Sequence, residues 1–537
     1  MKNCPIIAVL ASAVLSLFSA PFAAGQVAVT TYHNDNYRSG VNAQETILTP
    51  SNVNEVHFGK RLVLPVTGYV YAQPLYVPGV QINGKSHNVV YVVTEHDQAY
   101  AFDAKTGQLL WQKNFLISGV STKLILPISS NDTNCDGYGN QEIGISSTPV
   151  IDLTTNQLYV LAATKEIFNG VATLYNRLHV LDIGTGVEKM SSPFFGAPIK
   201  AKVPGTGSGS VGGYISFDPR MENQRGALTL ANGQVFATWG AYCDLPPFHG
   251  WLMGFDKTLL RPRGVLLTTP DAYDGGLWAS GSGPAVDSSN DLYFGTGNGY
   301  FDVNTGGSDY GDSILRVSAN NGKFVVKDYF TPWDQGALDS WDWDVGSAGV
   351  LLLPDQPGSQ YPHLLVQAAK EGTVDLINRD NMGHYSPSGD SQIVQTLPDD
   401  VGGMWGSPAM WNNNLYFGGQ NAPLVSLLYN PVTQRITAQP TSKTPEIFTW
   451  PGPTPSVSAN GKSNAIVWIV ENDTFQGGYA VLRAYDANNL ATELYNSNQN
   501  QARDQAGLAL KFTLPTIADG LVFVGAHNEV DVYGLLQ

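Results

Sequence analysis

The stretch "YVVTEHDQAYAFDAKTGQLLWQKNF" (91–115) alternates apolar and polar residues, breaks at Thr106-Gly107 and resumes with Leu109, Leu110 and Trp111. A period of two with a glycine-containing break predicts antiparallel strands joined by tight turns. The pattern recurs. Each unit opens on a small residue, a proline and an apolar residue, turns, runs through a strand of the "LYV" type, turns again, and ends near an Asp or an Asn-rich turn. Units of this kind cover 73–107, 147–186, 226–256, 282–322, 348–383, 406–430, 454–489 and 513–536. They are spaced by roughly 30 to 65 residues, the period of propeller blades. One unit cannot bury both of its faces, so it must stack between neighbours, and a closed ring leaves no end blade exposed. The expected fold is therefore all-β: an eight-bladed β-propeller of four-stranded antiparallel blades. The last unit lacks an outer strand, and "FGKRLVLPVTG" (58–68), ahead of the first unit, resembles the missing piece. An N-terminal strand is thus expected to complete the C-terminal blade and to cover its edge. A β-sandwich array is the alternative, but no Pro/Ser-rich linker divides the chain.

Composition fits a β-rich extracytoplasmic protein: 14% charged residues, 11% aromatic, 57 Gly and 32 Pro. A net charge of −16 argues against a nucleic-acid partner and gives no reason to expect an anionic membrane surface. The first residues carry Lys2, an apolar run from Ile6 to Phe18 and the small residues Ala23, Ala24 and Gly25. This reads as a signal peptide over 1–25, cleaved near Gln26, with secretion or a periplasmic location to follow. A membrane anchor is the alternative, for which the run is short, and no later stretch is a transmembrane candidate. Residues 26–57 form a lead-in segment and 58–537 the propeller. The mature chain keeps Cys135 and Cys243, which an oxidising compartment permits to bridge; two buried thiols are the other reading.

"AFDAKTGQLLW" is similar to the blade repeat of quinoprotein dehydrogenases that use pyrroloquinoline quinone (PQQ), and "YHNDNYRSGVNAQETILTPSNVNEVHFGKR" (32–61) resembles their lead-in segment. The middle of the chain carries the more specific likeness. "DGGLWASGSGPAVDSSNDLYFGTGN" (274–298) resembles the Gly-Gly-x-Trp strand and Gly-Thr-Gly-Asn turn of that family. The match implies that Trp278 stacks beneath the quinone and that Asn298 binds a metal ion. "YFTPWDQGALDSWDWDVGS" (329–347) resembles the Trp-Asp-Tyr-Asp segment, which makes Asp342 the catalytic base and a metal ligand. It also puts Asp344 where lanthanide-using members have an additional carboxylate. "HLLVQAAKEGTVDLINRDNMG" (363–383) resembles the strand whose cation contacts the quinone oxygens, which implies Lys370.

Two features depart from the family pattern. Its adjacent Cys-Cys is missing, since "SSNDTNCDGYGNQEIGISSTPV" (129–150) offers only Cys135. Its metal-binding Glu has no clear counterpart: Asp244 in "WGAYCDLPPFHGW" is favoured by blade order, and Glu166 in "ATKEIFNG" by its local setting.

In chemical terms Asn298 offers a neutral oxygen and Asp342, Asp344 and Asp244 anionic ones, a set that suits Ca²⁺ or a lanthanide and not a thiophilic metal. The resemblance implies oxidation of an alcohol or sugar hydroxyl. Asp342 would remove the proton, hydride would pass to the metal-bound quinone, and Lys370 would stabilise charge on the quinone oxygens. No Cys-x-x-Cys-His is present for covalent haem, so electrons would leave through a separate acceptor. The competing reading is a propeller without cofactor that serves as a binding or assembly scaffold.

Other clusters have plainer expectations. Asp302, Asn304, Asp309 and Asp312 (301–313) lack the ligand order of an EF-hand loop and read as a solvated turn. His249 and Trp251 read equally as channel lining or strand packing, and Arg503 beside Asp504 as an ion pair.

Overall fold

The computed structural model describes residues 27–119, 123–135, 142–320, 322–399 and 401–536. The expected signal peptide lies outside them. Eight antiparallel sheets follow one another around an axis, and each expected unit forms the inner part of one blade. Blade 1 contains Leu75–Ile82, Lys85–Thr94, Gln98–Asp103 and Leu109–Asn114. Blade 8 contains Thr516–Ala518, Leu521–Gly525, His527–Leu535 and, as its outermost strand, Phe58–Tyr69. The register runs from Phe58 opposite Leu535 to Tyr69 opposite His527. The N-terminal strand therefore closes the ring as expected. Among the described residues no helix is long and apolar enough to cross a membrane.

The opening stretch explains how blades meet. Asp103 Oδ1 accepts from the Lys105 and Thr106 amides and from Thr106 Oγ1, which fixes the turn and leaves Gly107 at φ +73°. Asp182 does the same for Gly184 and Thr185 in blade 2. That second turn is a docking surface. Trp111, from the outer strand of blade 1, lies against Gly186, where a Cβ would come within 2.6 Å of the indole, and its Nε1 donates to Ile183 O at 2.9 Å. Around the seam the pairing repeats: Leu62 and Leu64 of the N-terminal strand face Gly107 of blade 1. An outer strand resting on the next turn buries the apolar face that a lone blade would leave in water.

The lead-in segment threads beneath the hub. Val29 exchanges backbone hydrogen bonds with Tyr76 of blade 1. Thr30, Asn36, Tyr37, Ser39 and Gly40 present carbonyls to Ile151, Val286, Leu352, Met410 and Val457 of blades 2, 4, 5, 6 and 7. Arg38, fully buried, donates to Thr229 Oγ1 of blade 3 at 2.5 Å, and Asn42 donates to Ile517 O of blade 8 at 3.1 Å. All eight inner strands are thus tied to one peptide, and Tyr32 packs between Ala227 and Leu514 as a floor. The hub is a well that opens at one end.

Candidate functional site

A cavity of about 330 Å³ occupies the open end of the hub. Its walls come from loops that lead into inner strands and from the connections between the second and third strands of blades 3 and 5, so residues remote in sequence meet there. Asp244, Trp278, Asp342, Asp344 and Lys370 all line it.

Local structure explains each placement. The helix Gln335–Trp341 ends on Asp342, which takes left-handed backbone angles (φ 58°) and projects a carboxylate that is 68% exposed. Gln335 Nε2 donates to Gly299 O at 2.9 Å and so fixes this helix to the Asn298 turn. Asn298 Nδ2 donates to Asp342 Oδ1 at 2.7 Å, and its backbone N–H to Asp344 Oδ1 at 2.8 Å. Lys370 Nζ spans the other two oxygens, 2.8 Å from Asp342 Oδ2 and 3.1 Å from Asp344 Oδ2. Every oxygen of the two carboxylates is thereby engaged.

Trp278 rests in a cradle of glycines. A Cβ on Gly240, Gly276 or Gly297 would lie 3.0, 2.9 or 2.8 Å from the indole, so a side chain would crowd the ring at all three and displace it at Gly276 and Gly297. Phe248 meets it edge-on at 6.1 Å. Asp244 follows Cys243, and both have left-handed φ angles of 50° and 54°. Cys243 is joined to Cys135 with the Cα atoms 5.6 Å apart, so the turn that carries Asp244 is anchored covalently.

The charges report their proximity. Burial, together with the Asp344 and Asp342 carboxylates, pushes Asp244 up to about 7. Burial, with repulsion from Asp339 and Asp344, pushes Asp274 up to about 6. Burial raises Asp344 too, although Lys370 and the Asn298 amide pull the other way. The Lys370 ammonium is disfavoured by burial, yet Asp344 and Asp342 more than offset this and raise its pKa. Asn298 Oδ1 is buried with no hydrogen-bond donor.

Glu166 stands elsewhere. It pairs with Arg177 at 2.5 Å and Lys123 at 3.4 Å, so of the two acids weighed from sequence Asp244 is the one in the hub. His249 is buried against Thr269 and Ser208, and Trp251 donates to Glu222; both are packing residues. In the 301–313 loop Asp302 caps the Asp309 amide and Asp312 receives Val345 N–H, behind Asp344. Arg503 and Asp504 pair at 2.6 Å, and Asp504 also receives the Lys60 amide of the N-terminal strand. Among the further lining residues that sequence reasoning missed are Arg225, Trp405, Trp450, Lys511 and Phe512. Trp405, Trp450 and the Lys511–Phe512 pair sit just ahead of the proline-containing openings of blades 6, 7 and 8, and that repeat position was the available signal; Arg225 precedes Gly226-Ala227-Leu228, which lacks the proline.

No protein-family model matches the sequence, and neither does any curated protein. Solved structures share the fold. A quinohemoprotein alcohol dehydrogenase from Pseudomonas putida HK5 superposes with a TM-score of 0.59 at 15% identity, over 95% of this chain and 80% of that one. The quinohemoprotein alcohol dehydrogenase of Comamonas testosteroni gives 0.59 at 16%, over 94% and 80%. A europium-containing methanol dehydrogenase gives 0.56 at 12%, over 95% and 98%. At these identities the likeness concerns architecture: the chain is an eight-bladed propeller with the fold of quinohemoprotein alcohol dehydrogenases and of a methanol dehydrogenase.

Proposed function

We propose that the protein is an extracytoplasmic, PQQ-dependent dehydrogenase that oxidises an alcohol or sugar hydroxyl in the hub. The observation that carries this reading is Asp342: an exposed carboxylate at the cavity wall, held by Asn298 and Lys370, in a cavity that Trp278 also lines. Structural packing alone gives no reason to expose that carboxylate there.

The residues present suit the cofactor. The glycine cradle presents a flat indole against which a planar quinone can lie, and the cavity also offers the cations Lys370, Arg225 and Lys511. For a hard metal ion the donors are oxygens only: the unpartnered Asn298 Oδ1, Asp342, Asp344 and Asp244. Among the described residues no three His, Cys, Asp or Glu side chains gather tightly enough to hold an ion, so its retention would depend on the Asn298 amide oxygen as well. When bound, the quinone supplies a two-electron acceptor and Ca²⁺ or a lanthanide a Lewis acid. The protein's own part is positional and protonic. Asp342 takes the proton of the substrate hydroxyl. Lys370 and Asn298 orient that carboxylate, and Lys370, kept protonated by Asp344, balances negative charge beside it.

A second reading also has an observation behind it. Lys370 and Asn298 already engage all four oxygens of Asp342 and Asp344 in hydrogen bonds, an arrangement that needs no ligand and that a non-catalytic scaffold could equally use. The experiment that separates them is reconstitution of the purified protein with PQQ and Ca²⁺ or La³⁺, followed by alcohol- and sugar-dependent dye reduction. Asp342→Asn should cost about 10² to 10⁴ in rate with the cofactor still bound. No cofactor binding and no reduction would retire the enzyme reading.

A further inference from the structure

The blades do not guard their edges equally. Charges and prolines on an outer strand discourage pairing with another chain. Leu109–Asn114 has Lys113, Pro262–Leu267 has Pro262 and Arg263, and Lys323–Phe330 has Lys323 and Lys327. Glu493–Asn496 has Glu493, and Phe58–Tyr69 has Lys60, Arg61 and Pro65. In blades 5 and 6 the outer strands are only two or three residues long. Blade 2 differs. Its strands Gln157–Phe168 and Val171–Asp182 form a long hairpin, and the chain over 188–199 covers only the later part of the second. Lys189, Gly196 and Ile199 donate their amides to the carbonyls of Val180, Leu178 and Asn176. Beyond that point "VATLY" (171–175) continues as an edge without a charge, a glycine or a proline.

Strand geometry sets which way this backbone points. The N–H and C=O of one residue face the same side of an antiparallel strand, and the side alternates from residue to residue. Asn176, Leu178 and Val180 face the covering segment, so Ala172 and Leu174 face that side too. Among the described residues no backbone partner reaches those two from there. They border a groove of about 470 Å³, completed by residues 199–201 and 216–220. The edge is anchored from behind, because the Leu174 side chain packs in the apolar cluster of Ile128 and Cys135.

The groove is also charged. Lys200 and Arg220 line it against a single carboxylate, Asp218. Beside it Lys202 lies 4.4 Å from the centre of the Tyr214 ring. Among the described residues none of these three cations is held in an ion pair. A cationic groove on a chain of net charge −16 favours an anionic occupant, and open backbone donors and acceptors favour an extended one.

We propose that the edge formed by Val171 to Tyr175 is a docking site for an extended acidic segment of a partner protein, which adds to blade 2 as a further strand. Ala172 and Leu174 would exchange about four backbone hydrogen bonds with it. Its carboxylates would meet Lys200, Lys202 and Arg220. The groove shares no lining residue with the hub cavity, so the proposal stands apart from the dehydrogenase reading.

The test uses the full protein and a dye-labelled heptapeptide alternating glutamate and valine, with binding read by fluorescence anisotropy. Saturable binding that weakens with salt is expected. A lysine–valine counterpart, or the same acidic peptide methylated on alternate backbone nitrogens, should bind at least 10-fold more weakly. Ala172→Pro removes a donor that the hairpin itself does not use, and should weaken binding by about 10-fold with the melting temperature little changed. Lys200→Glu/Lys202→Glu/Arg220→Glu, all exposed positions, should weaken it by about 10-fold or more. Hydrogen exchange of the unaltered protein needs no variant to fold, and saturating peptide should slow the Ala172 and Leu174 amides. No binding at millimolar peptide, equal affinity for the methylated peptide, or protection that falls elsewhere would overturn the proposal. So would a dimer in which a second copy protects the same two amides and the peptide fails to displace it.

Discussion

Breaking the Cys135–Cys243 link is the most informative single perturbation of this fold. The bond closes a loop of 108 residues that runs from the lead-in to blade 2 into blade 3. Chain-entropy loss in the unfolded state makes such a closure worth about 4.8 kcal/mol at 25 °C. For a denaturant slope of about 3 kcal/mol/M or more, that corresponds to a fall of up to about 1.6 M in the urea midpoint. The effect should reach the hub as well. Cys243 and Asp244 are consecutive residues in left-handed conformations, so releasing one releases the turn that holds the other at the cavity wall. The assay is urea unfolding of the oxidised protein, the reduced protein and the Cys135→Ser/Cys243→Ser variant, with thiols counted in the unfolded, non-reduced state. Reduced protein and double variant should unfold at the same lower midpoint. Two titratable thiols without reductant, or a midpoint that reduction leaves unchanged, would refute the reasoning.

Other consequences are equally direct. Gly297→Ala places a Cβ 2.4 Å from Asp344 Oδ1 and 2.8 Å from Trp278, so it should cost about 1–3 kcal/mol and disturb cofactor binding. Gly240→Ala, at 3.0 Å from the same indole, should be milder, and equal melting temperatures for the two variants would contradict this account. Arg38→Met removes donors to Thr31, Tyr32, Thr229, Gly283 and Pro284, and leaving those acceptors dry should cost about 3 kcal/mol or more, seen as a clear drop in melting temperature. Stability should also fall as pH rises from about 4.5 to 7. Glu95 and Asp244 are pushed up to about 7, Asp274 and Asp531 to about 6 and Asp375 to about 8, so the folded state keeps protons that the unfolded state has lost. His33, His249 and His527, lowered by burial, oppose this near pH 6 but are fewer. A melting temperature that climbs steadily from pH 5 to 7 would count against the assignment.

The ring was legible because its signature is local. The Asp103 and Asp182 turns, the period-two strands and the docking Trp111 can each be seen within a few tens of residues. Trp278, Asp342, Asp344 and Lys370 were found by motif and line one cavity, while Asn298 bonds to Asp342 from beside it. Arg225 and Lys511, which also line the cavity, were not found, because they belong to no shared functional motif and Arg225 lacks even the proline-containing blade opening that follows Lys511. The route of the lead-in segment was equally hidden. Its contacts are mostly backbone carbonyls, which leave little mark on side-chain choice. Asp244 lay between these cases: blade order pointed to it and it lines the hub cavity, whereas Glu166 pairs with Arg177.

The seam in blade 8 has a bearing on how the protein would meet a protease. The short link between Tyr69 and Leu75 is buried at Val70, Ala72 and Gln73, so a cut there first needs local opening; it adds no strand to any sheet, so cutting it deletes no blade. The severed N-terminal fragment would remain gripped, by Phe58–Tyr69 in its sheet and by carbonyls and side chains handed to every inner strand. Nicked material should therefore migrate as one particle until denaturant is added, and the two fragments should reassemble when mixed.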